Sequence, residues 1–306
     1  MLSYVLRRLA SSIPTLFLIV TISFFLIRVA PGGPFDLEQP LNDAIMRNLR
    51  ALYKLDEPLW KQYLYYLQGL ARGDFGPSFS SQDITVGQLF AKGLPVSITL
   101  GVLALALAVV VGMTCGVIAA LRQNKAADYA VVAAAAAGIT VPTFVTAPLF
   151  QVVFGLWLAW LPVGGWNDGA MRNIVLPVLV LALPQTAVIA RLTRAAMIET
   201  MRANHIRTLK AQGLTDATII RHALRAAALP MVSYLGPAAA ALLTGSVVVE
   251  TIFGLPGIGR YFVEGALNRD YTLVMGTVVV VAIFVILFNL LVDIAYAALD
   301  PRVRYQ

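Results

Sequence analysis

Six long apolar runs divide this chain, at residues 9–29, 94–121, 129–157, 174–190, 230–249 and 272–299. About twenty apolar residues in a helix, at 1.5 Å each, cross the hydrocarbon of a bilayer. Inside lipid the backbone has no water to bond to, so runs of this length fold as helices and not as open strands. Charged residues make up 13% of the chain and hydrophobic ones 59%, whereas a soluble domain carries about 25% charge. The expectation is an all-α polytopic membrane protein with six transmembrane helices. The net charge of +7 would point to nucleic acid in a soluble chain. Here membrane lipid is the expected surrounding and no nucleic acid is expected.

The basic residues fall at alternate ends of the runs. Arg7 and Arg8 precede the first, Arg122 and Lys125 separate the second from the third, and Arg302 and Arg304 follow the sixth. Arg191, Arg194, Arg202, Arg207, Lys210, Arg221 and Arg225 fill the long stretch 191–229. Positive loops stay inside, so these segments and both termini are expected in the cytoplasm. The first run is long for a signal peptide and lacks an A-x-A-like cleavage site, which makes it an uncleaved helix, with Pro14 placed to kink it and Arg28 to snorkel outward. The chain divides into 1–30 (cytoplasmic N-terminus and first helix), 31–94 (an extracytoplasmic insertion of nearly balanced charge) and 95–306 (a core with helices two to six). Within the insertion, Trp60-Lys-Gln-Tyr-Leu-Tyr-Tyr-Leu67 is aromatic enough to lie at the interface or pack on a partner.

Breakers inside the runs mark close packing or bending. Gly112 and Gly116 have the spacing of a helix-packing face. Pro142 and Pro148 break the third run, with Phe144 beside the first of them, and Pro177 and Pro184 interrupt the fourth. Gly236-Pro237 and Gly245 permit bending of the fifth, which ends at Glu250. Trp157, Trp160 and Trp166 suit an external interface. Candidate pathway or gating residues are Pro142, Phe144, Gly236, Pro237, Glu250, Pro256 and Gly257. A pathway-lining kink and a merely bent packing helix both remain open for the third run.

The stretch 191–229 reads as a helix up to Gln212, a stop at Gly213 and a second short helix before the apolar run that begins near Pro230. Thr215 is placed to cap the second helix, Asp216 to charge its first turn, and Leu214 to staple onto Ile219. Arg207, Lys210, Gly213, Leu214, Asp216 and Ile219 are the candidate contacts with another protein.

Enzymatic motifs are missing from the sequence. Phe253-Gly-Leu-Pro-Gly-Ile-Gly259 follows no expected strand and precedes no Lys-Ser/Thr, so it reads as a tight turn and not as a phosphate cradle. There is no Walker lysine, HExxH, CxxC or nucleophile elbow. His205 and His222 lack accompanying ligands, and Cys115 stands alone in an apolar run as a small hydrophobe. No catalytic, cofactor or metal site is expected in this chain. Asn289 and Asp293 share a helix face, where Asp293 serves either an interfacial bond near the basic tail or a substrate or proton role.

Several motifs together resemble the permease subunits of bacterial ATP-driven (ABC) importers of the peptide and nickel class. They are Leu6-Arg-Arg-Leu9 with Ile13-Pro-Thr-Leu-Phe17, Ala30-Pro-Gly-Gly-Pro34, Gly73-Asp-Phe-Gly-Pro-Ser78, His205-Ile-Arg-Thr-Leu-Lys-Ala-Gln-Gly213, Arg221-His-Ala-Leu-Arg225 with Leu229-Pro230, Val249-Glu-Thr-Ile-Phe-Gly-Leu-Pro-Gly-Ile-Gly259, and Leu267-Asn-Arg-Asp-Tyr271. The resemblance implies the type I importer permease fold in a bacterial inner membrane. It implies a homologous second permease subunit (C type), two cytoplasmic ATPases (D and F type) that hold ATP and Mg, and an extracytoplasmic peptide-binding protein. It also implies that 191–229 contains the coupling helix received by the ATPase. The general importer motif begins Glu-Ala-Ala, where this chain has Arg207, Thr208 and Leu209, and its glycine matches Gly213. An oligopeptide cargo is implied first, with a dipeptide or nickel importer of the same class as the alternative. An ion-coupled secondary transporter and a sensory scaffold are the competing classes.

Overall fold

The computed structural model describes residues 2–29, 43–80 and 84–299, so the Pro31–Pro34 motif and the tail bearing Arg302 and Arg304 lie outside it. In chain order the helices are α1 (Leu2–Val29), α2 (Asp43–Leu52), α3 (Leu59–Ala71), α4 (Val86–Leu121), α5 (Ala126–Thr140) and α6 (Thr143–Phe150). After a π-helical turn (Gln151–Trp157) come α7 (Met171–Met201), α8 (Asn204–Ala211), α9 (Asp216–Phe253), α10 (Ile258–Leu267) and α11 (Tyr271–Leu299). Four stretches are each long and apolar enough to cross a membrane: Arg7–Val29, Val86–Leu121, Met171–Met201 and Tyr271–Ile294. Two bent pairs, Ala126–Thr140 with Thr143–Trp157 and Asp216–Leu242 with Ser246–Phe253, bring the spans to six if each pair is one. The chain is thus an all-α polytopic membrane protein, with four to six spans among the described residues.

Helix α7 is the centre of the bundle, packed by α4, α5, α6 and α9. Lipid tails are as apolar as leucine, so close packing and hydrogen bonds hold such helices together. Gly112 and Gly116 provide that closeness. A Cβ on Gly116 would stand 2.6 Å from the Ala190 carbonyl oxygen, and one on Gly112 would stand 2.9 Å from Ile189. On the α9 side, the Tyr234 hydroxyl donates to Gln185 Oε1 at 2.7 Å. Leu100, Leu176, Val180, Ile189, Val249 and Phe253 fill the core between these helices.

Several helix boundaries differ from the sequence reading. Helix α4 begins at Val86, inside the expected 31–94 insertion, because Thr85 and Gln88 form a reciprocal capping box. Helix α7 runs unbroken through Pro177 and Pro184 to Met201. Helix α9 runs from Asp216 through Pro230 and Pro237 to Phe253, so no separate short helix precedes Pro230. Its 42° bend falls between Leu242 and Ser246, where Gly245 was expected to permit it, and not at Gly236-Pro237. Gly236 instead admits α11, since a Cβ there would lie 2.7 Å from Asn289 Oδ1. Arg28 at the end of α1 is held by protein groups. Its guanidinium lies 3.5 Å from the centroid of the Phe24 ring and donates to Gln62 of α3 at 3.3 Å. Asp293 pairs with Arg8 of α1 at 3.0 Å.

Two motifs far apart in the chain meet at the start of α11. Asp270 is fully buried and accepts from the Ser78 hydroxyl, from the Ser80 hydroxyl at 2.9 Å, and from the backbone N–H groups of Phe79 (2.9 Å) and Ser80 (3.1 Å). Its other oxygen accepts from Thr272 and from the Leu273 N–H at 3.0 Å, which ties the insertion to the first turn of α11. Burial pushes the Asp270 carboxyl up, but the bonds from Ser78 and from the Leu273, Ser80 and Phe79 backbones outweigh it and hold its pKa below the ordinary carboxylate value. A depressed pKa stabilises the fold fully above the unfolded value, about 3.9, and the contribution is lost as pH falls through the folded value. Asp270→Asn is therefore expected to lower the melting temperature at neutral pH, with the gap to wild type closing below about pH 4. A gap that does not change with pH would contradict this.

Candidate functional site

The stretch expected to contact a partner folds as a short helix set between two long ones. After Met201 the chain turns at Arg202 and Ala203, whose N–H groups reach the Glu199 (3.1 Å) and Thr200 (2.9 Å) carbonyls, and α8 begins at Asn204. The expected continuous helix to Gln212 is thus interrupted. Asn and His are weak helix formers, and the turn lets Ile206 bury itself fully against Met197 of α7 and Ile219, Ala223 and Ala227 of α9. Leu209 and Leu214 pack on the same cluster, as do Val117 and Ala120 of α4. His205, Arg207, Thr208 and Lys210 remain exposed on the other side of α8.

Gly213 closes α8 with φ +74°, and nothing lies within 4 Å of where its Cβ would be. Backbone conformation, not space, therefore calls for glycine there. Thr215 occupies the cap position of α9 without making the expected bond to its backbone; its hydroxyl pairs with Thr218 at 3.0 Å. Of the six candidate contacts, Arg207, Lys210, Gly213 and Asp216 are exposed and Leu214 is half-buried. Ile219 is buried beneath α8, where it supports that helix instead of facing a partner.

At the far end of α9 the glycine-rich turn builds a folded-back corner. Gly254 is left-handed at φ +64°, and the Leu255 N–H returns to the Glu250 carbonyl at 2.8 Å. Helix α10 then folds back on α9. The fully buried Glu250 carboxylate accepts from the Ser97 hydroxyl of α4 at 2.7 Å and from the Arg260 N–H at 3.2 Å, while the Ile258 N–H donates to Ser97 Oγ at 2.9 Å. Glu250 thus sits at the N-terminus of α10, where the helix dipole and free N–H groups favour an anion. A Cβ on Gly257 would fall within 2.5 Å of that carboxylate, and one on Gly259 would lie 2.4 Å from Val247 Cα. The glycines admit the chain's own carboxylate and backbone, which is why their spacing is not that of a nucleotide loop. Pro256 lies half-buried in this turn.

The third apolar run does not make a long kinked helix. Val141 and Pro142 are both extended, and α5 meets the Thr143–Trp157 segment at 103°. The residue before a proline avoids the helical region, which accounts for the break. Pro142 and Phe144 lie exposed at this angle, Phe144 at 61%. The candidate gating residues therefore do not form one cluster: Glu250, Pro256 and Gly257 share the α9–α10 corner, Gly236 and Pro237 sit midway along α9, and Pro142 and Phe144 sit at the α5–α6 break. The sequence reading missed Ser97, and it missed the pair formed by Asp128 of α5 and Arg194 of α7. Asp128 is buried, takes a forked bond from Arg194 (2.8 Å through Nη2), and accepts the Asn124 N–H at 2.9 Å. Nothing local in the sequence links residues 66 positions apart.

Comparison with known proteins bears on the whole chain. Residues 112–305 match the family profile of the binding-protein-dependent transport system inner membrane component, and residues 1–108 match that of its N-terminal region. The chain is 52% identical to the oligopeptide transport system permease protein OppB of Salmonella typhimurium and 50% identical to that of Haemophilus influenzae, with 100% of each chain covered. It is 43% identical to the dipeptide transport system permease protein DppB of Bacillus subtilis, over 99% of this chain and 98% of that one.

The crowding at Gly257 gives a direct test of the corner. Gly257→Ala is expected to destabilise the protein by about 1–3 kcal/mol, as overpacking does, although the added group is a single methyl. Thermal unfolding of the purified protein checks it, and an unchanged midpoint would contradict the packing described.

Proposed function

We propose that this chain, which belongs to the family of binding-protein-dependent transport system inner membrane components, is the permease subunit of an ABC-type peptide importer. It is a non-catalytic subunit, and ATP and Mg belong to its partner ATPases. Full-length identity of 50–52% to oligopeptide permease proteins carries the reading, and it favours oligopeptides over the dipeptides named for a relative at 43%. In this proposal the chain sits in a bacterial inner membrane with both termini and residues 191–229 in the cytoplasm and the insertion outside. A homologous second permease subunit completes the path, two ATPases dock from the cytoplasm, and an extracytoplasmic binding protein delivers the peptide.

Helix α8 is the element best built to receive the ATPases. One face is anchored by Ile206 in a cluster shared with α4, α7 and α9, and the opposite face presents Arg207, Thr208 and Lys210. A push on α8 therefore acts on three membrane helices together. Helix α9 spans 38 residues, about 57 Å at 1.5 Å per residue, and joins α8 to the Glu250 corner. Its bend makes it the element through which the path opens and closes.

Reconstituted in proteoliposomes with the second permease subunit, the ATPases and the binding protein, the chain is expected to support uptake of labelled oligopeptides only with ATP. Uptake by this chain alone, driven by an ion gradient, would overturn the proposal. Gly213→Val forces a branched side chain into a left-handed conformation at a cost of roughly 1–2 kcal/mol. It should weaken copurification of the ATPases while leaving membrane insertion intact, and Gly213→Asn should be milder. Normal assembly by the valine variant would argue against α8 as the docking element.

A further inference from the structure

The seam between α5 and α7 holds a groove of about 470 Å³ lined by Val132, Ile139, Val188, Leu192 and Ala195, with Arg191 and Arg194 also in its wall. Along this seam the two helices meet at Asp128 and Arg194, and deeper at Gly138, where a Cβ would lie 3.1 Å from Ala187 Cβ. Val132 and Ile139 are 39% and 42% exposed, so the apolar floor is open to the surroundings. The two arginines have different partners. Arg194 is bound to Asp128, whose second oxygen also takes the Asn124 N–H. Arg191 is exposed and, among the described residues, makes no hydrogen bond or ion pair. Asp128 is already committed, and Glu199 lies exposed two turns further on, so the groove wall keeps a net positive charge.

Depth identifies the occupant. Arg191 is twenty residues beyond Met171 on the unbroken α7, about 30 Å along the axis and equal to the hydrocarbon thickness of a bilayer. The start of α7 is marked by the exposed Trp157 and Trp160, with Arg172 donating to the Trp160 carbonyl at 3.0 Å, an arrangement that suits one membrane interface. Arg191 then lies at headgroup level on the opposite side, with Val188 and Ile139 of the groove deeper toward the hydrocarbon. A hydrated free anion gains nothing from a floor of valine, isoleucine and leucine. A molecule with an anionic head and a hydrocarbon tail satisfies both ends.

We propose that this groove is a binding site for an anionic phospholipid, with an acyl chain along Val132, Ile139 and Val188 and the phosphate on Arg191. The site rests on the chain being a multi-span membrane protein and not on peptide as its cargo, so peptide uptake and lipid retention can fail independently. The test is native mass spectrometry of the transporter, purified with its copurifying subunits from nanodiscs of mixed phosphatidylglycerol and phosphatidylcholine. Wild type is expected to retain phosphatidylglycerol in preference. Arg191→Gln should cut that retention about fivefold, the equivalent of about 1 kcal/mol for one basic residue near a headgroup. Arg191→Lys should keep most of it, and Ile139→Trp, which fills the groove, should reduce retention of both lipids. Equal retention of the two lipids, or no effect of Arg191→Gln, would overturn the site. So would a cross-link from Ile139→Cys to another subunit, which would show protein in the groove instead of lipid.

Discussion

A backbone polar group inside a bilayer has no water to bond, so a helix can break there only where protein supplies the missing partner. That constraint accounts for where this chain bends. At the end of α9 the Phe253 carbonyl takes the Gly165 N–H at 2.8 Å, the Ile252 carbonyl takes Gln151 Nε2 at 3.2 Å, and the Glu250 carboxylate caps α10. At the start of α11 the same task falls to Asp270, which collects donors from the insertion as well as from its own helix. Each buried carboxylate is costly alone and tolerable only with its full set of donors. The two corners are therefore each held by several partners, while the α5–α6 break and the bend of α9 lie elsewhere in the bundle.

Corners held in this way and joined by long helices favour motion of whole elements over local deformation. The cluster around Ile206 binds α8 to the ends of α4, α7 and α9, so these pack as one body. In the proposed coupling, helix α9 links that body past its bend to the Glu250 corner, which is held to α4 through Ser97. The Gly112 and Gly116 contacts hold α4 and α7 in close packing. The arrangement suits a subunit that is moved by others and performs no chemistry itself.

Local signals in the sequence located much of this. The apolar runs marked the spans, Gly213 marked the end of α8, and the glycines at 254, 257 and 259 marked the corner. Helix boundaries were less legible where tertiary packing decided them. The break at Arg202 depends on Ile206 finding Met197 and Ile219, whereas the start of α4 carried a local signal, the Thr85–Gln88 capping box, that was overlooked. Pairings between distant residues left no local trace. Ser97 and Glu250 are 153 residues apart, and Ser78 and Asp270 are 192 apart. The motifs containing Ser78, Glu250 and Asp270 were visible, but not that Ser78 and Asp270 close on each other or that Glu250 would cap α10. Proline was the most misleading signal, because Pro177, Pro184, Pro230 and Pro237 all sit within continuous helix while Pro142 ends one.

Helix α8 is proposed as the face through which partner ATPases move the membrane helices. Site-directed cross-linking on a Cys115→Ala background measures this most directly, with single cysteines placed along α8 in the assembled complex. Cross-links to an ATPase are expected from Arg207→Cys and Lys210→Cys, and none from Ile206→Cys, which is buried. Cross-links from both faces alike, or from neither exposed position, would contradict it.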